Sequence, residues 1–143
     1  MSNSDCIFCK IVAGALPCTR VYEDDDVLAF MDIGPIIKGH TLVIPKVHID
    51  PLTSVPDELL SQLILVVRRI AGAQMKGLDA DGVNVTQANG AVAGQVVPHV
   101  HFHVIPRFEN DKHHWNWNAK AYDTTEEMES VAAQIRSGLP LEI

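Results

Sequence analysis

The chain has 143 residues, of which 47% are hydrophobic and 20% charged, so it has the length and composition of one globular domain with its own core. Its formal net charge of −7 disfavours duplex DNA and anionic membranes as partners, because both call for a basic patch. A small anionic substrate needs only local positive groups. Lys38, Lys46 and Arg107 are candidates, although each is also an ordinary surface charge.

Neither the N-terminal residues nor the apolar runs suggest export or membrane insertion. Residues 1–5 lack the basic and apolar segments of a signal peptide, and the longest strongly apolar run, residues 63–67, is too short to span a bilayer. The three cysteines Cys6, Cys9 and Cys18 fit a reducing compartment, with a metal site or free thiols, better than a disulfide framework. We therefore expect a cytoplasmic protein.

The first third of the chain predicts a short helix and three strands. Residues 6–13 are predicted to be helical and to end before Gly14. Strands over 21–23 and 27–32 flank the acidic turn at residues 24–26, which is typical of a solvated hairpin tip. A third strand is predicted over Thr41–Pro45.

The rest of the chain predicts the main helix, two further strands and a tail helix. The main helix covers residues 54–77, with Pro56 near its start. Its apolar residues recur with the helical period: Leu59, Leu60, Leu63, Ile64, Val67, Ile70 and Ala71. Strands are predicted over Gly82–Gln87 and over residues 99–105.

The tail helix begins at Thr125, because Thr124 and Glu127 have the spacing of a capping box. Its apolar residues are predicted to point inward: Met128, Val131, Ala132 and Ile135. The order of elements gives an α+β fold with a mainly antiparallel five-stranded sheet, one main helix and short terminal helices. No repeat or linker interrupts the chain, so we expect a single domain over residues 1–143.

The most informative feature is a set of three histidines at strict period two, His99, His101 and His103. On a strand, such residues project from one face, and the intervening apolar residues point into the core. At about 3.3 Å per residue, the imidazoles line up over about 13 Å, which suits a phosphate group or a metal ion. A small-residue loop, residues 89–98, precedes them, and its glycines allow backbone N–H groups to approach an anion. The pattern favours imidazole catalysis over a pure metal-ligand set or a coincidental triplet.

Residues 99–105 read His-φ-His-φ-His-φ-φ, with φ apolar, and this run resembles the signature of the histidine-triad (HIT) nucleotide-binding hydrolases. The resemblance continues through blocks at residues 6–11, 21–25, 28–33, 39–46, 93–95 and 105–107, in the family's order. It is closer to the Hint-like and bacterial-type branch than to the longer galactose-1-phosphate uridylyltransferase branch. It implies a HIT-like fold whose subunits pair as a two-fold homodimer, with one active site in each subunit.

The resemblance also implies roles for the histidines. A neutral imidazole, with a pKa of about 6.5, can attack phosphorus through one ring nitrogen while a hydrogen bond holds the other. His101 would be the nucleophile and would form a nucleotidyl-histidine, which water hydrolyses to the nucleoside monophosphate. His99 and His103 would orient it and contact the phosphate. His40 matches a supporting histidine of the family, and it equally fits a hydrogen-bonded histidine at the start of a strand.

Further residues match the family's nucleotide-binding positions. Asp32 would accept both ribose hydroxyls, and Asn89, Gly94 and Gln95 would contact phosphate or ribose. Five apolar residues would enclose the base, although their spacing also fits ordinary core: Ile7, Phe8, Ile11, Phe30 and Ile33. At Val96, three residues before His99, the family commonly has Ser or Thr. Only the backbone N–H of Val96 is left to bond a phosphate oxygen or leaving group.

A second constellation points to a metal. Cys6 and Cys9 form a CxxC pair, and His48 with one triad histidine would complete a tetrahedral Cys2His2 zinc site. Some bacterial-type relatives look as though they carry zinc on such cysteines, with His48 and His99 at the matching positions. The resemblance therefore implies His99 as the fourth ligand. Such a closed site is structural, and the chemistry itself would require no metal.

The resemblance predicts an enzyme that cleaves purine nucleoside phosphoramidates, with adenosine as the expected nucleoside, or related nucleotidyl conjugates. Three alternatives stay open: a dinucleoside polyphosphate hydrolase, a non-catalytic nucleotide-binding regulatory scaffold, and a metallohydrolase that uses the triad as ligands to one ion. The expected partners are a small-molecule nucleotide and a second copy of the chain, not nucleic acid or membrane. Trp115 and Trp117 fit either dimer packing or contact with the leaving group.

Overall fold

The structure is a computed structural model that describes residues 3–141. In chain order the elements are α1 (Ile7–Val12), β1 (Arg20–Glu23), β2 (Val27–Met31), β3 (Thr41–Pro45), α2 (Asp57–Gly77), β4 (Gly82–Gln87), β5 (Phe102–Arg107) and α3 (Thr125–Ser137). Short 3-10 turns lie at Leu52–Ser54 and Ala91–Ala93. Over the described range, no helix is long and apolar enough to cross a membrane.

The chain divides into two compact units at the boundary between His113 and His114. The first unit contains α1, α2 and all five strands, and the second contains α3. The single domain expected over residues 1–143 stays a prediction.

The five strands form one sheet in the order β1-β2-β3-β5-β4, and every neighbouring pair is antiparallel. The central strand β3 places Val43 opposite Ala29 of β2 on one side and Phe102 of β5 on the other. The α+β fold with a five-stranded antiparallel sheet is therefore confirmed.

Side-chain alternation along the strands divides the core into two layers. Val27, Ala29 and Val43 point to the face covered by α2, and Leu28 and Phe30 point to the face covered by α1. Each large apolar side chain buried in this way stabilises the fold by about 1.5–3 kcal/mol. The sheet is buried on both faces, and its α1 face carries the histidines.

The main helix is shorter than predicted at its N-terminal end. It begins at Asp57 rather than at residue 54, because residues 52–54 form a separate 3-10 turn and Pro56 is extended at the N-cap. The helical period predicted its buried stripe correctly at Leu63, but Ile64 is 48% exposed, contrary to expectation. Val66 is buried instead.

The histidine strand also begins later than predicted. It starts at Phe102 rather than at residue 99, because Phe102 is the first residue that pairs with both β3 and β4. Before it, the His99 N–H donates to the Val97 carbonyl at 2.9 Å, and the Val100 N–H donates to the Ile49 carbonyl at 2.8 Å. These two N–H groups are therefore bonded outside the sheet ladder. The intervening residues are buried as predicted: Val100, Phe102 and Val104.

Helix α3 begins as predicted, because Thr124 Oγ1 accepts a hydrogen bond from the Glu127 N–H at 3.0 Å. The expectation that its apolar residues point inward is wrong. Met128 is 46% and Ile135 65% exposed, and no described residue of the helix is buried; Val131 and Ala132 are half-buried. A lone helix has no second layer within its own unit against which an apolar stripe could be buried.

Candidate active site and metal site

The ring of His101 is held by the backbone of the residue two positions before it. Its Nδ1–H donates to the His99 carbonyl at 2.6 Å, and the ring is 5% exposed. In the neutral ring this bond places the proton on Nδ1, so that Nε2 keeps its lone pair. The arrangement leaves one nucleophilic nitrogen in a fixed orientation.

His40 and His103 form a hydrogen-bonded pair next to His101. The Ile36 N–H donates to His40 Nδ1 at 3.1 Å, so neutral His40 carries its proton on Nε2. His40 Nε2–H in turn donates to His103 Nδ1 at 2.9 Å, which places the proton of His103 on Nε2. The His101 and His103 rings lie 4.9 Å apart, centroid to centroid. The chain of bonds therefore ends in an N–H donor beside the His101 ring, suited to a phosphate oxygen.

Both members of this pair are uncharged at neutral pH. Burial, assisted by the neighbouring His101 and His40, lowers the pKa of His103 to about 4. Burial also lowers the pKa of His40, although the carboxylate of Asp32 partly opposes this. The tautomers assigned from the hydrogen bonds are thus those of neutral rings.

Asp32 lies where a carboxylate can serve two partners. Its Oδ1 accepts a hydrogen bond from the Gly34 N–H at 2.8 Å, and its Oδ2 lies 3.6 Å from His40 Nε2. A carboxylate has about four lone-pair sites, so two or more stay available for ribose hydroxyls. Asp32 is 3.8 Å from the position that a Cβ would take at Gly34, so a larger residue there would contact the carboxylate.

The six apolar and acidic residues predicted to bind the nucleoside share one cleft of about 390 Å³. They are Ile7, Phe8, Ile11, Phe30, Asp32 and Ile33. Phe8 also contacts His101 edge to face, with centroids 5.1 Å apart, so the cleft adjoins the His101 ring. Sequence reasoning missed five further lining residues: Leu16, Pro17, Cys18, Met31 and Leu42. Leu16 and Pro17 follow shortly after α1, and this apolar pair was the available signal that the segment lies near the same cleft.

The polar loop residues predicted to contact the phosphate are hydrogen-bonded within their loop and to the neighbouring segment at residues 50–52. Asn89 Oδ1 accepts from the Leu52 N–H at 2.8 Å, and Gln95 Oε1 accepts from the Gly90 N–H at 2.7 Å. Gln95 also donates through Nε2 to Asp50 at 2.7 Å. These side chains shape the loop, and their contact with a nucleotide stays a prediction.

Gly94 has φ +94°, a conformation that favours glycine, and Val96 is 89% exposed. Val96 lines a second cavity, of about 440 Å³, together with Ile7 and His48. Because Ile7 lines both cavities, Val96 lies at the neighbouring opening rather than inside the nucleoside cleft.

The cations suggested by the sequence are largely paired. Lys46 Nζ lies 2.9 Å from Glu23, and Arg107 Nε lies 2.8 Å from Asp111. That ion pair raises the pKa of Arg107 and holds the pKa of Asp111 well below its usual range. Lys38 lines a separate cavity beside the end of α2. The phosphate is therefore expected to be held by imidazole and backbone N–H donors.

The four predicted metal ligands come together at the N-terminus of α1. Their ligand atoms, from Cys6, Cys9, His48 and His99, all lie within 4.8 Å of one another. His99 Nδ1 is 3.4 Å from Cys6 Sγ and 3.7 Å from Cys9 Sγ, and His48 Nδ1 is 3.4 Å from Cys9 Sγ. Zinc bond lengths of about 2.0–2.3 Å imply ligand separations of about 3.3–3.8 Å in a tetrahedron, so the residues fit this ion.

His99 is committed to this cluster and not to the phosphate. Its Nε2–H donates to the Pro45 carbonyl at 2.8 Å, its Nδ1 faces the two thiols, and the ring is fully buried. Neither ring nitrogen is left for a phosphate oxygen, which corrects the expected phosphate contact of His99. Its orienting role acts through the backbone carbonyl that accepts from His101.

The same geometry argues against a metallohydrolase with the whole triad on one ion. Among residues 3–141, the ligand-atom clusters place His99 with the cysteines and His48, and His103 with Asp32 and His40. The three triad rings therefore face different partners.

Comparison with known proteins agrees with this geometry. Residues 13–110 match the model of the HIT domain family. An uncharacterised HIT-like protein of Methanocaldococcus jannaschii is 52% identical over 106 residues, which cover 74% of this chain and 81% of that protein. A protein of Candida albicans named adenosine 5′-monophosphoramidase is 41% identical over 110 residues, covering 74% of this chain and 72% of that one.

Solved structures extend the likeness to the fold. A HIT family member from Bacillus subtilis superimposes with a TM-score of 0.89 at 42% identity and covers 96% of this chain and 99% of that one. A zinc-bound histidine triad family protein from Mycobacterium smegmatis has a TM-score of 0.74 at 40% identity, covering 94% and 98%. From the family match and these likenesses, together with the triad geometry, the chain belongs to the HIT domain family.

Proposed function

We propose that this protein is a nucleotide hydrolase that cleaves purine nucleoside phosphoramidates through a nucleotidyl-histidine on His101. The observation that carries the proposal is the orientation of His101. Its Nδ1–H is bound to the His99 carbonyl, its Nε2 is available, and Phe8 of the nucleoside cleft packs against its ring. A buried, oriented imidazole beside an apolar cleft with a carboxylate suits nucleophilic attack on a nucleotide phosphate.

In the first step, His101 Nε2 attacks the α-phosphorus and the P–N bond breaks. The leaving amine takes a proton from solvent water, because Val96 has no hydroxyl to supply one. The phosphorylated imidazole is cationic, and its Nδ1–H bond to the His99 carbonyl becomes charge-assisted and stronger. His103 Nε2–H donates to a phosphate oxygen and stabilises the charge that develops on it.

In the second step, a water molecule attacks the same phosphorus and the bond from phosphorus to Nε2 breaks. The water gives up one proton to solvent, and the products are the nucleoside monophosphate and neutral His101. Throughout, Asp32 would hold the ribose hydroxyls, and the cleft between α1 and β2 would hold the base. Both half-reactions use this chain's own imidazoles.

We also propose that Cys6, Cys9, His48 and His99 hold one structural zinc ion. The donor set and spacing support it, and so does the zinc-bound relative from Mycobacterium smegmatis. Burial raises the pKa of the Cys6 thiol, so a cation is needed to stabilise a thiolate there at neutral pH. Zinc bound in this way would supply a cross-link between α1 and the approach to β5, with no open position for water.

The preference for phosphoramidates is supported by the size of the cleft, about 390 Å³, which suits a single nucleoside, and by the name of the Candida albicans relative. A dinucleoside polyphosphate hydrolase and a regulatory nucleotide-binding scaffold are the competing functions. We further propose a homodimer, and the cytoplasmic location stays a prediction.

The test is a rapid-quench mass measurement of the intact protein with adenosine phosphoramidate. We expect a covalent adenylyl adduct on the peptide that contains His101. His101→Asn should abolish the adduct, and His114→Asn, a change of the same type at an exposed histidine, should keep it. Turnover without an adduct at any quench time would favour direct attack by water.

Substrate preference is decided by comparing kcat/KM for adenosine phosphoramidate and diadenosine tetraphosphate, because that ratio reports differential transition-state binding. We expect the phosphoramidate to be preferred. Preference for the tetraphosphate would assign the chain to the polyphosphate hydrolases, and absence of turnover with tight nucleotide binding would favour the scaffold.

A further inference from the structure

A glutamine of α2 holds the backbone beside both members of the His40–His103 pair. Gln74 is 5% exposed on the face of α2 that packs against the sheet. Its Nε2 donates to the Gly39 carbonyl at 3.0 Å and to the Val104 carbonyl at 2.9 Å. Gly39 directly precedes His40, and Val104 directly follows His103. One amide group therefore joins the two chain segments that carry these histidines, from the opposite face of the sheet.

The amide is kept at a cost. With both carbonyls facing Nε2, Oε1 is left buried without a hydrogen-bond partner in the described part of the chain. A buried acceptor without a donor destabilises a fold, and an apolar side chain of similar length would avoid that penalty. The same change would remove the two hydrogen bonds that Nε2 donates, so the two effects on stability oppose each other, and the unsatisfied group calls for a further explanation.

The backbone of His40 is held beside the end of β2, where its carbonyl accepts from the Asp32 N–H at 3.0 Å, so the side that needs support is the one toward β5. β3 begins only at Thr41, so the pairing with β5 does not fix His40 itself. Gly39 has φ +108°, and an added Cβ would lie 2.7 Å from Leu78 and 2.8 Å from Pro106. The backbone before His40 is thus tightly enclosed, and the Gln74 amide supplies the hydrogen bond that ties it to β5.

We propose that Gln74 is a positioning residue, whose Nε2 holds His40 and His103 at hydrogen-bond distance and thereby keeps the proton of His103 on Nε2. The consequence for rate rests on the function proposed above. The consequence for the rings does not, because it concerns only the hydrogen bond between His40 Nε2 and His103 Nδ1.

The test replaces Gln74 with methionine, which has a similar length and cannot donate, and uses Gln62→Met on the same helix as the matched control. In Gln74→Met we expect kcat for adenosine phosphoramidate to fall about tenfold, as a small misplacement of reacting groups does. KM should stay within about twofold, since the nucleoside cleft is untouched. Gln62→Met should leave both constants unchanged, and the melting temperature of Gln74→Met should stay within about 5 °C of wild type, because the two effects on stability oppose each other.

A second measurement, by nitrogen NMR of the histidine rings at neutral pH, is independent of activity. In wild type we expect both His40 and His103 to carry the proton on Nε2. In Gln74→Met we expect His40 to keep this tautomer, because the Ile36 N–H still binds its Nδ1, and His103 to show averaged tautomers. If wild type has no turnover but the tautomers change in this way, the proposed function is wrong and the role of Gln74 holds. Unchanged tautomers together with unchanged kcat would overturn that role.

Wild type alone gives a further check should Gln74→Met fail to fold. The side-chain amide protons of Gln74 are expected to exchange with solvent far more slowly than those of the exposed Gln134. Equal exchange rates would show that Nε2 is not held by the two carbonyls, and would overturn the proposal.

Discussion

Backbone groups determine which nitrogen of His40 and of His101 carries its proton, and His40 in turn determines this for His103. The Ile36 N–H binds His40 Nδ1, and the His99 carbonyl binds His101 Nδ1, so a donor and an acceptor of the main chain give opposite tautomers. His40 and His103 become N–H donors at Nε2, and His101 becomes a nucleophile at Nε2. The three histidines are chemically identical side chains, and the hydrogen bonds of the local fold give them different roles.

Removal of the nucleophile should separate catalysis from binding. We expect His101→Ala to lower kcat by about 10³-fold or more, because no other group can form the covalent intermediate. Binding of adenosine monophosphate should stay within about threefold of wild type, since Asp32 and the apolar cleft are unchanged. Steady-state kinetics and titration calorimetry measure the two effects. Turnover within about tenfold of wild type would contradict the assignment of the nucleophile.

The low pKa of His103 predicts a loss of stability in mild acid. An unfolded histidine takes up a proton near pH 6.5, whereas folded His103 does so only near its pKa of about 4. The unfolded state therefore binds more protons across this window, and stability falls as pH drops from about 6.5 to about 4. Because His103 is partly exposed, we expect a loss on the order of 1 kcal/mol after solvent screening.

Urea denaturation at pH 7.5 and at pH 4.5 measures this effect. The comparison is made with His103→Asn, which keeps the proposed metal ligands and removes only the His103 contribution. The acid loss should be smaller in His103→Asn than in wild type. An equal loss in the two proteins would show that His103 does not cause it.

At the scale of elements, alternation and turn signals predicted the sheet. Successive side chains on a strand point to opposite faces, so a short segment of sequence is enough to indicate a strand. Thr41–Pro45 and Gly82–Gln87 were predicted to the residue. The start of β5 was not, since His99 to His101 alternate like a strand but bond to residues 45 and 49, far away in sequence. The carbonyl that a given N–H binds depends on the tertiary structure, and the neighbouring sequence does not indicate it.

The link between α1 and the segment before β5 should depend on zinc. We expect about one zinc per chain in protein prepared with zinc, and a fall in melting temperature of about 5–10 °C when a chelator removes it. kcat should change by less than about tenfold, because no step uses the metal. Elemental analysis and calorimetry test this, with Cys9→Ser as the site variant and Cys18→Ser as the control. Protein with no zinc, or an equal effect of both substitutions, would remove the site.

For the molecule as a whole, the sequence predicted the residues of the nucleoside cleft and the metal cluster better than the contacts that support them. Those residues stand in blocks that resemble a family, and their side-chain chemistry suggests their role. Gln74 has no such signal, because its importance comes from meeting Gly39 and Val104 across the sheet. Long-range hydrogen bonds of this kind become visible only in the folded chain.

Assembly is the remaining prediction at this scale. β4 lies at one end of the sheet, so its outer edge has no strand beside it within the described chain, and Val85 of this strand is 46% exposed. Ile64 and Leu65 of α2 add exposed apolar surface, at 48% and 41%. An open edge with exposed apolar residues invites pairing with a second strand, and a two-fold axis there satisfies both copies with the same surface.

We therefore expect light scattering at micromolar concentration to give twice the chain mass of 15.7 kDa. Val85→Lys should shift the protein toward monomer, because the partner would have to bury a charge. The matched control is Val21→Lys on β1, the strand at the other end of the sheet, where the valine is 47% exposed. Dissociation by Val21→Lys alone would move the interface to β1. A wild-type monomer would contradict the predicted homodimer.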